Sequence, residues 1–229
     1  MTFPTLSYLQ FLWHSKNEHA VHSPFVFSLL TKCFYDRKPK PAYTLLKTSL
    51  SYSEQLRSSA ALSQKNSQFL YRLHAYFDCD HSFISEATDG LAVLAVALSS
   101  KTKKINVQAA ATFPLETMKA VLPADTKVAF TTASLKDSMR MDAQQQYDFI
   151  YFDNYSDTQQ LLTAFKTTLP SSTNDSVWVF NQLHKSKATR EAWEHIKQQP
   201  EVSVTVDSYY FQLVFFRREQ PKEHFIIRQ

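Results

Sequence analysis

The 229-residue sequence contains one glycine, Gly90, where an average soluble chain of this length carries roughly 16. Tight loops that let a nucleotide approach the backbone depend on that residue, and neither a P-loop nor a serine nucleophile elbow is present. Cysteine is also scarce. Cys33 and Cys79 are far apart and lie in no metal-ligand spacing, which favours reduced core thiols in a cytoplasmic protein over a disulfide. No stretch approaches the roughly 20 apolar residues of a membrane span. The opening Met-Thr-Phe-Pro-Thr-Leu lacks a basic, then apolar, leader pattern, so no signal peptide is expected. The formal charge of +4 is mild and does not by itself call for nucleic acid or an anionic membrane. What remains is a packed chain, 44% hydrophobic and 14% aromatic.

The most informative stretch is 82–98. It reads as a strand (Phe83–Glu86), a tight turn (Ala87–Gly90) and a buried helix (Leu91–Leu98). A strand passing through a turn into a helix is where nucleotide-type cofactors sit in open α/β sheets, because the helix start offers unpaired N–H groups. Upstream, residues 1–77 read as a helical extension. Leu6, Leu9, Phe11, Leu12 and Trp13 crowd one side of a short helix, and Ser23-Pro24 signals a second. Phe25, Phe27, Leu29 and Leu30 form the apolar face of that second helix. A polar, serine-rich helix over about Tyr43–Leu62 and another over Lys65–Phe77 follow. His14, His19 and His22 read either as a metal cluster or as a capped junction whose histidines bond backbone. The spacing spans a helix break and favours the second.

From residue 78 strands and helices alternate. Strands are expected at Ile105–Gln108, Lys127–Thr132, Tyr147–Phe152 and Ser176–Phe180. Helices are expected at Pro114–Leu122, Thr158–Leu169 and Thr189–Gln198. Val202–Val206 and Tyr209–Phe216 close the chain as a hairpin joined through Asp207-Ser208. The continuous apolar run 147–152 is that of a central parallel strand covered on both faces. The alternation predicts a mostly parallel sheet with helices on both faces. Its seven strands and antiparallel ending are the layout of the Rossmann-like class I methyltransferase fold. Lys101, Lys103 and Lys104 read as a solvated basic turn. Arg217-Arg218 follow aromatics that alternate on a core hairpin, which disfavours a nucleic-acid surface.

Three stretches carry a resemblance: 16–27 (Lys-Asn-Glu-His-Ala-Val-His-Ser-Pro-Phe-Val-Phe), Phe180–Trp193, and Val202–Arg228 with its Val-Phe-Phe-Arg-Arg-Glu-Gln-Pro-Lys-Glu-His-Phe segment. On these the chain resembles a group of class I S-adenosylmethionine-dependent methyltransferases of Bacteroidetes, nearly end to end. The resemblance implies S-adenosylmethionine as cofactor and O- or N-methyl transfer to a small molecule. The relatives' Glu-Leu-Gly-Thr-Ser-Leu-Gly motif can be laid on the chain in two registers. One puts Ser85 at the acid and Ala87 and Leu91 at the glycines. The other puts Glu86 at the acid and Thr88 and Ala92 at the glycines. Neither keeps a motif glycine. The expected cofactor contacts are therefore Glu86, Ala87, Thr88, Gly90, Asp153 and Gln108, the last a neutral stand-in for the acid that holds the ribose hydroxyls.

Asp153 ends the fourth strand, at the crevice of an open sheet. It reads either as a site residue or as the cap of the next helix. His184 reads either as a general base beside the crevice or as a structural group bonding loop backbone. In metal-dependent relatives the acid at the first position joins an acidic pair after the next strand. Here that pair is Asn181-Gln182, a poor hard-cation set, so no metal is expected. Two functions follow. In the first, Asp153 and His184 lie near the acceptor in a methyltransferase. In the second, the fold is kept without catalysis and serves a protein partner as a binding or scaffolding module. The aromatic N-terminal helices leave homo-oligomer formation open, and neither nucleic acid nor membrane is expected as a partner.

Overall fold

The computed structural model describes residues 3–17, 21–51, 62–88, 90–99, 104–141 and 144–228. Four helical elements precede the sheet: α1 (Phe3–His14), α2 (Pro24–Leu29), α3 (Ala42–Ser51) and α4 (Gln64–Phe77). The sheet region runs β1 (His81–Ala87), α5 (Gly90–Ser99), β2 (Lys104–Ala109), α6 (Leu115–Val121), β3 (Lys127–Thr131), α7 (Leu135–Met141), β4 (Phe149–Phe152), α8 (Thr158–Thr168), β5 (Val177–Asn181), α9 (Lys187–Gln198), β6 (Val204–Asp207), β7 (Phe211–Phe215) and β8 (Glu223–Ile226). The strand order is β3-β2-β1-β4-β5-β7-β6-β8. β1 to β5 are parallel, and β7 is antiparallel to both β5 and β6. The expected Rossmann-like fold is therefore present, with eight strands in place of seven. The added strand β8 lies parallel to β6, and Lys16 bridges to Ile227 just beyond it.

Burial explains the layers. β4 and β5 are buried at every position, as strands covered on both faces must be. α5 is buried from Gly90 to Leu98, which follows from its unbroken apolar sequence. One core joins Val26, Leu30, Leu46, Leu70 and Leu73 of the N-terminal helices to Ile84, Val93 and Leu213. A second, on the opposite face, joins Phe83, Ile150 and Trp178 to Leu161, Phe165 and Trp193 of α8 and α9. α2, α3 and α4 thus complete one layer over the sheet.

Three local expectations are corrected, and one helix is added. α1 buries Ser7 and Phe11, while Leu6 and Leu9 are exposed and Trp13 is 88% exposed. Its inward face is set by a hydrogen bond from Ser7 and ring contacts from Phe11, so apolarity alone misplaces it. α2 likewise turns Val26 and Leu29 inward and leaves Phe27 exposed. It continues as a π-helical turn, Leu30–Phe34, closed by Tyr35 N–H to the Leu30 carbonyl. The hairpin link is Ser208–Tyr210, with Tyr209 at φ 71° and its N–H donating to the Asp207 carboxylate. α7 was not expected. Ser134 caps it, accepting from Asp137 N–H and donating to the Asp137 carboxylate. The serine-rich helix is seen as α3 to Ser51. Residues 52–61, His19, Asp89 and Lys101 to Lys103 lie outside the described residues.

Candidate functional site

The C-terminal ends of β1, β2, β4 and β5 meet where an open sheet of this order has its crevice. The β1–β2 pairing slips between Ile84 and Ala87. Glu86 sits at that slip in the left-handed region, φ 52°, a conformation costing about 1–2 kcal/mol outside glycine. Gln108 holds it there. The Gln108 Oε1 accepts from Glu86 N–H at 3.2 Å, and its Nε2 donates to the Glu86 carboxylate at 3.0 Å. Gly90 has no positive φ and opens α5. Glu86, not the glycine, is the left-handed residue of the turn.

The same Gln108 oxygen accepts from Ser85 Oγ at 3.0 Å. Ser85 has one hydroxyl hydrogen, so the Tyr155 hydroxyl, 2.7 Å away, donates to Ser85 Oγ. Burial raises the Tyr155 phenol above its ordinary value, with the negative charges of Glu86 and Asp153 acting in the same direction and the Ser85 bond opposing, so it stays a donor. Thr88 gives both its N–H (2.8 Å) and its hydroxyl (2.9 Å) to Asp153 Oδ2, and Asn181 Nδ2 donates to Asp153 Oδ1 at 3.1 Å. Asp153 is 2% exposed, and its N–H donates to the Ser85 carbonyl. Ser85, Thr88, Gln108, Asp153, Tyr155 and Asn181 are all buried. They form one hydrogen-bonded plug across four strand ends.

The structure thus brings together Glu86, Thr88, Gln108 and Asp153 of the expected residues, with Ala87 buried between them. Asp153 does not cap α8. Asp157 does, accepting from Gln160 N–H. His184 is not part of the plug. Its Nδ1 meets Ser7 and its Nε2 meets Asp207, on the side of the sheet end covered by α1. Sequence reasoning missed Tyr155 as a plug and missed Lys185. Lys185 Nζ donates to Asn154 Oδ1 at 3.4 Å, and burial lowers its pKa against the pull of Asp153. The Asp-Asn pair after β4 was the one available signal for both.

Asn181 turns its NH2 group toward Asp153. Among the described residues no group of three or more His, Cys, Asp or Glu side chains could hold a metal ion. His14 Nδ1 pairs with its own helix, at the Gln10 carbonyl. Beside the plug lies a cavity of about 500 Å³, whose walls include Glu86, Leu135, Lys136, Asn154 and Tyr155.

No protein-family model matches the chain, and no curated protein matches it in sequence. Solved structures do match. An O-methyltransferase from Bacillus cereus, in complex with S-adenosylhomocysteine, is 15% identical at a TM-score of 0.60, covering 83% of this chain and 97% of that one. A methyltransferase from Podospora anserina, bound to S-adenosylhomocysteine, is 7% identical at 0.60, covering 86% and 97%. The O-methyltransferase TomG from Streptomyces achromogenes, in complex with S-adenosylmethionine, is 13% identical at 0.56, covering 84% and 95%. At these identities the likeness is one of fold, and with the strand order above it assigns the chain the Rossmann-like methyltransferase fold.

Proposed function

We propose that the chain is a methyltransferase-like protein of the S-adenosylmethionine class that no longer transfers a methyl group and acts as a cytoplasmic binding or scaffolding protein. The cofactor class is supported by neighbours of the same fold that hold it. The loss of transfer is supported by one observation above others: apart from Asn181 Oδ1, the polar groups of the plug are engaged with one another. A sulfonium nucleotide needs donors for its carboxylate and acceptors for its ammonium and ribose hydroxyls. Here the Thr88 N–H and hydroxyl are given to Asp153, and the Asp153 carboxylate accepts three bonds. Gln108 is turned back on Ser85 and Glu86. Ala87 and Leu91, or Thr88 and Ala92, place a side chain where the resembling family has glycine. The residues present therefore fit the cofactor poorly.

A retained small-molecule site is the second reading, favoured by the cavity beside Glu86 and Tyr155, whose volume of about 500 Å³ lies within the range of ligand pockets. In that reading Glu86 and Asp153 orient the ligand and no metal takes part. Thermal unfolding with 1 mM S-adenosylmethionine or S-adenosylhomocysteine separates the two. A ligand at about 100 times its Kd stabilises by about 2.7 kcal/mol, raising the melting temperature of a chain this size by about 5–10 °C. The proposal expects a shift under about 1 °C, and a rise of several degrees would restore the enzyme.

A further inference from the structure

α1 is tied to the sheet end by three side chains in line. Ser7 Oγ lies 2.8 Å from His184 Nδ1, and His184 Nε2 lies 2.7 Å from Asp207 Oδ2. The other oxygen of Asp207 accepts from Tyr209 N–H at 2.9 Å and from Gln212 Nε2 at 3.1 Å. A carboxylate only accepts, so the imidazole carries its hydrogen on Nε2. In the neutral ring Nδ1 is left with its lone pair, and the Ser7 hydroxyl donates to it. The Tyr209 ring stacks on the imidazole at 5.0 Å and 15°, which fixes the ring plane. This is the order of nucleophile, base and orienting acid that acyl transfer uses, with the two ring nitrogens exchanged relative to the serine-protease template. Ser7, His184 and Asp207 all line one cavity of about 120 Å³, together with Arg190, Trp193 and Phe225.

We propose that Ser7, His184 and Asp207 form a second chemical site, at which Ser7 takes a small acyl group from an ester and His184 passes it on to water. The cavity corresponds to about four waters at roughly 30 Å³ each, which limits the acyl group to a few carbons. In the first step Ser7 Oγ bonds to the carbonyl carbon and its proton moves to His184 Nδ1. The ester C–O bond breaks, and the alcohol leaves with that proton. In the second step water attacks the acyl-serine, giving one proton to His184. The carboxylic acid leaves, and Ser7 Oγ recovers the proton. Asp207 holds Nε2–H throughout, and Arg190, whose guanidinium donates to Gln10 Oε1 at 2.7 Å, adds a positive charge to the cavity wall. The site is independent of the strand-end plug, so it stands or falls apart from the reading of the cofactor crevice.

The test is incubation of the full chain with p-nitrophenyl acetate, an acid quench and peptide mass mapping. The expected result is one acetyl group on Ser7, absent in Ser7→Ala. Its rate of formation falls by about 10²-fold or more in His184→Gln. The wild-type rate also follows a single titration step with pH, which a merely structural hydrogen bond would not produce. Acetylation confined to lysines, or a Ser7 rate that simply climbs in proportion to hydroxide, would overturn the proposal even if His184→Gln proves unstable.

Discussion

Replacing Asp153 by alanine separates a structural carboxylate from one kept for a ligand. In the folded chain it accepts from Thr88 N–H, Thr88 Oγ and Asn181 Nδ2. Both partner residues are buried, Thr88 at 7% and Asn181 at 4% exposure, so water does not readily replace the lost acceptor. A buried donor left unpaired costs about 1–3 kcal/mol. With the Thr88 N–H and the Asn181 amide both affected, Asp153→Ala should cost about 2–5 kcal/mol. For a chain of this length that lowers the melting temperature by about 4–20 °C. Asp153→Asn should be far milder. Its remaining oxygen still serves Thr88, and Asn181 can rotate its amide to offer Oδ1, which has no hydrogen-bond partner among the described residues. A cost near 1 kcal/mol is expected. Urea unfolding followed by tryptophan fluorescence measures both variants. Asp153→Ala at or above wild-type stability would refute the reasoning, since stability gained on removal is the mark of a carboxylate held in place for binding.

Two further predictions concern the frame around the site. Ser186 accepts from Thr189 N–H as the N-cap of α9; Ser186→Ala should cost about 1 kcal/mol, read as a drop of about 2–4 °C in thermal unfolding. Cys33 is buried, and burial pushes its thiol from 9.0 up to about 12. A raised folded value means the folded chain keeps a proton that the unfolded chain releases. Stability therefore falls as pH rises above 9 toward 12, and iodoacetamide labelling of Cys33 should require unfolding. Rapid labelling of the folded chain at pH 8 would contradict this.

How far the sequence could be read depended on the range of the interactions. The unbroken apolar runs of β4, β5 and α5 announce fully covered elements, and they lie where expected. β8 escaped because Glu223-His224-Phe225-Ile226 is short, partly polar and at the sheet edge, where one-sided cover leaves little apolar pattern. α1 was legible as a helix but its inward face was not, because that face is chosen by a serine whose partner lies 177 residues away. The crevice shows the same division. Glu86, Gln108 and Asp153 could be named from their strand-end positions. Whether they face a ligand or one another depends on pairs 22, 65 and 70 residues apart, which no local spacing records. His184 was recognisable as chemically capable, while its partners Ser7 and Asp207 placed it at a different cavity.

Calorimetric titration of the full chain with S-adenosylmethionine and S-adenosylhomocysteine tests the closed crevice most directly. No saturable heat is expected below about millimolar ligand. One-to-one binding at a micromolar Kd, about 8 kcal/mol of affinity, would mean that the plug of Ser85, Thr88, Gln108, Asp153 and Tyr155 opens readily, and would contradict it.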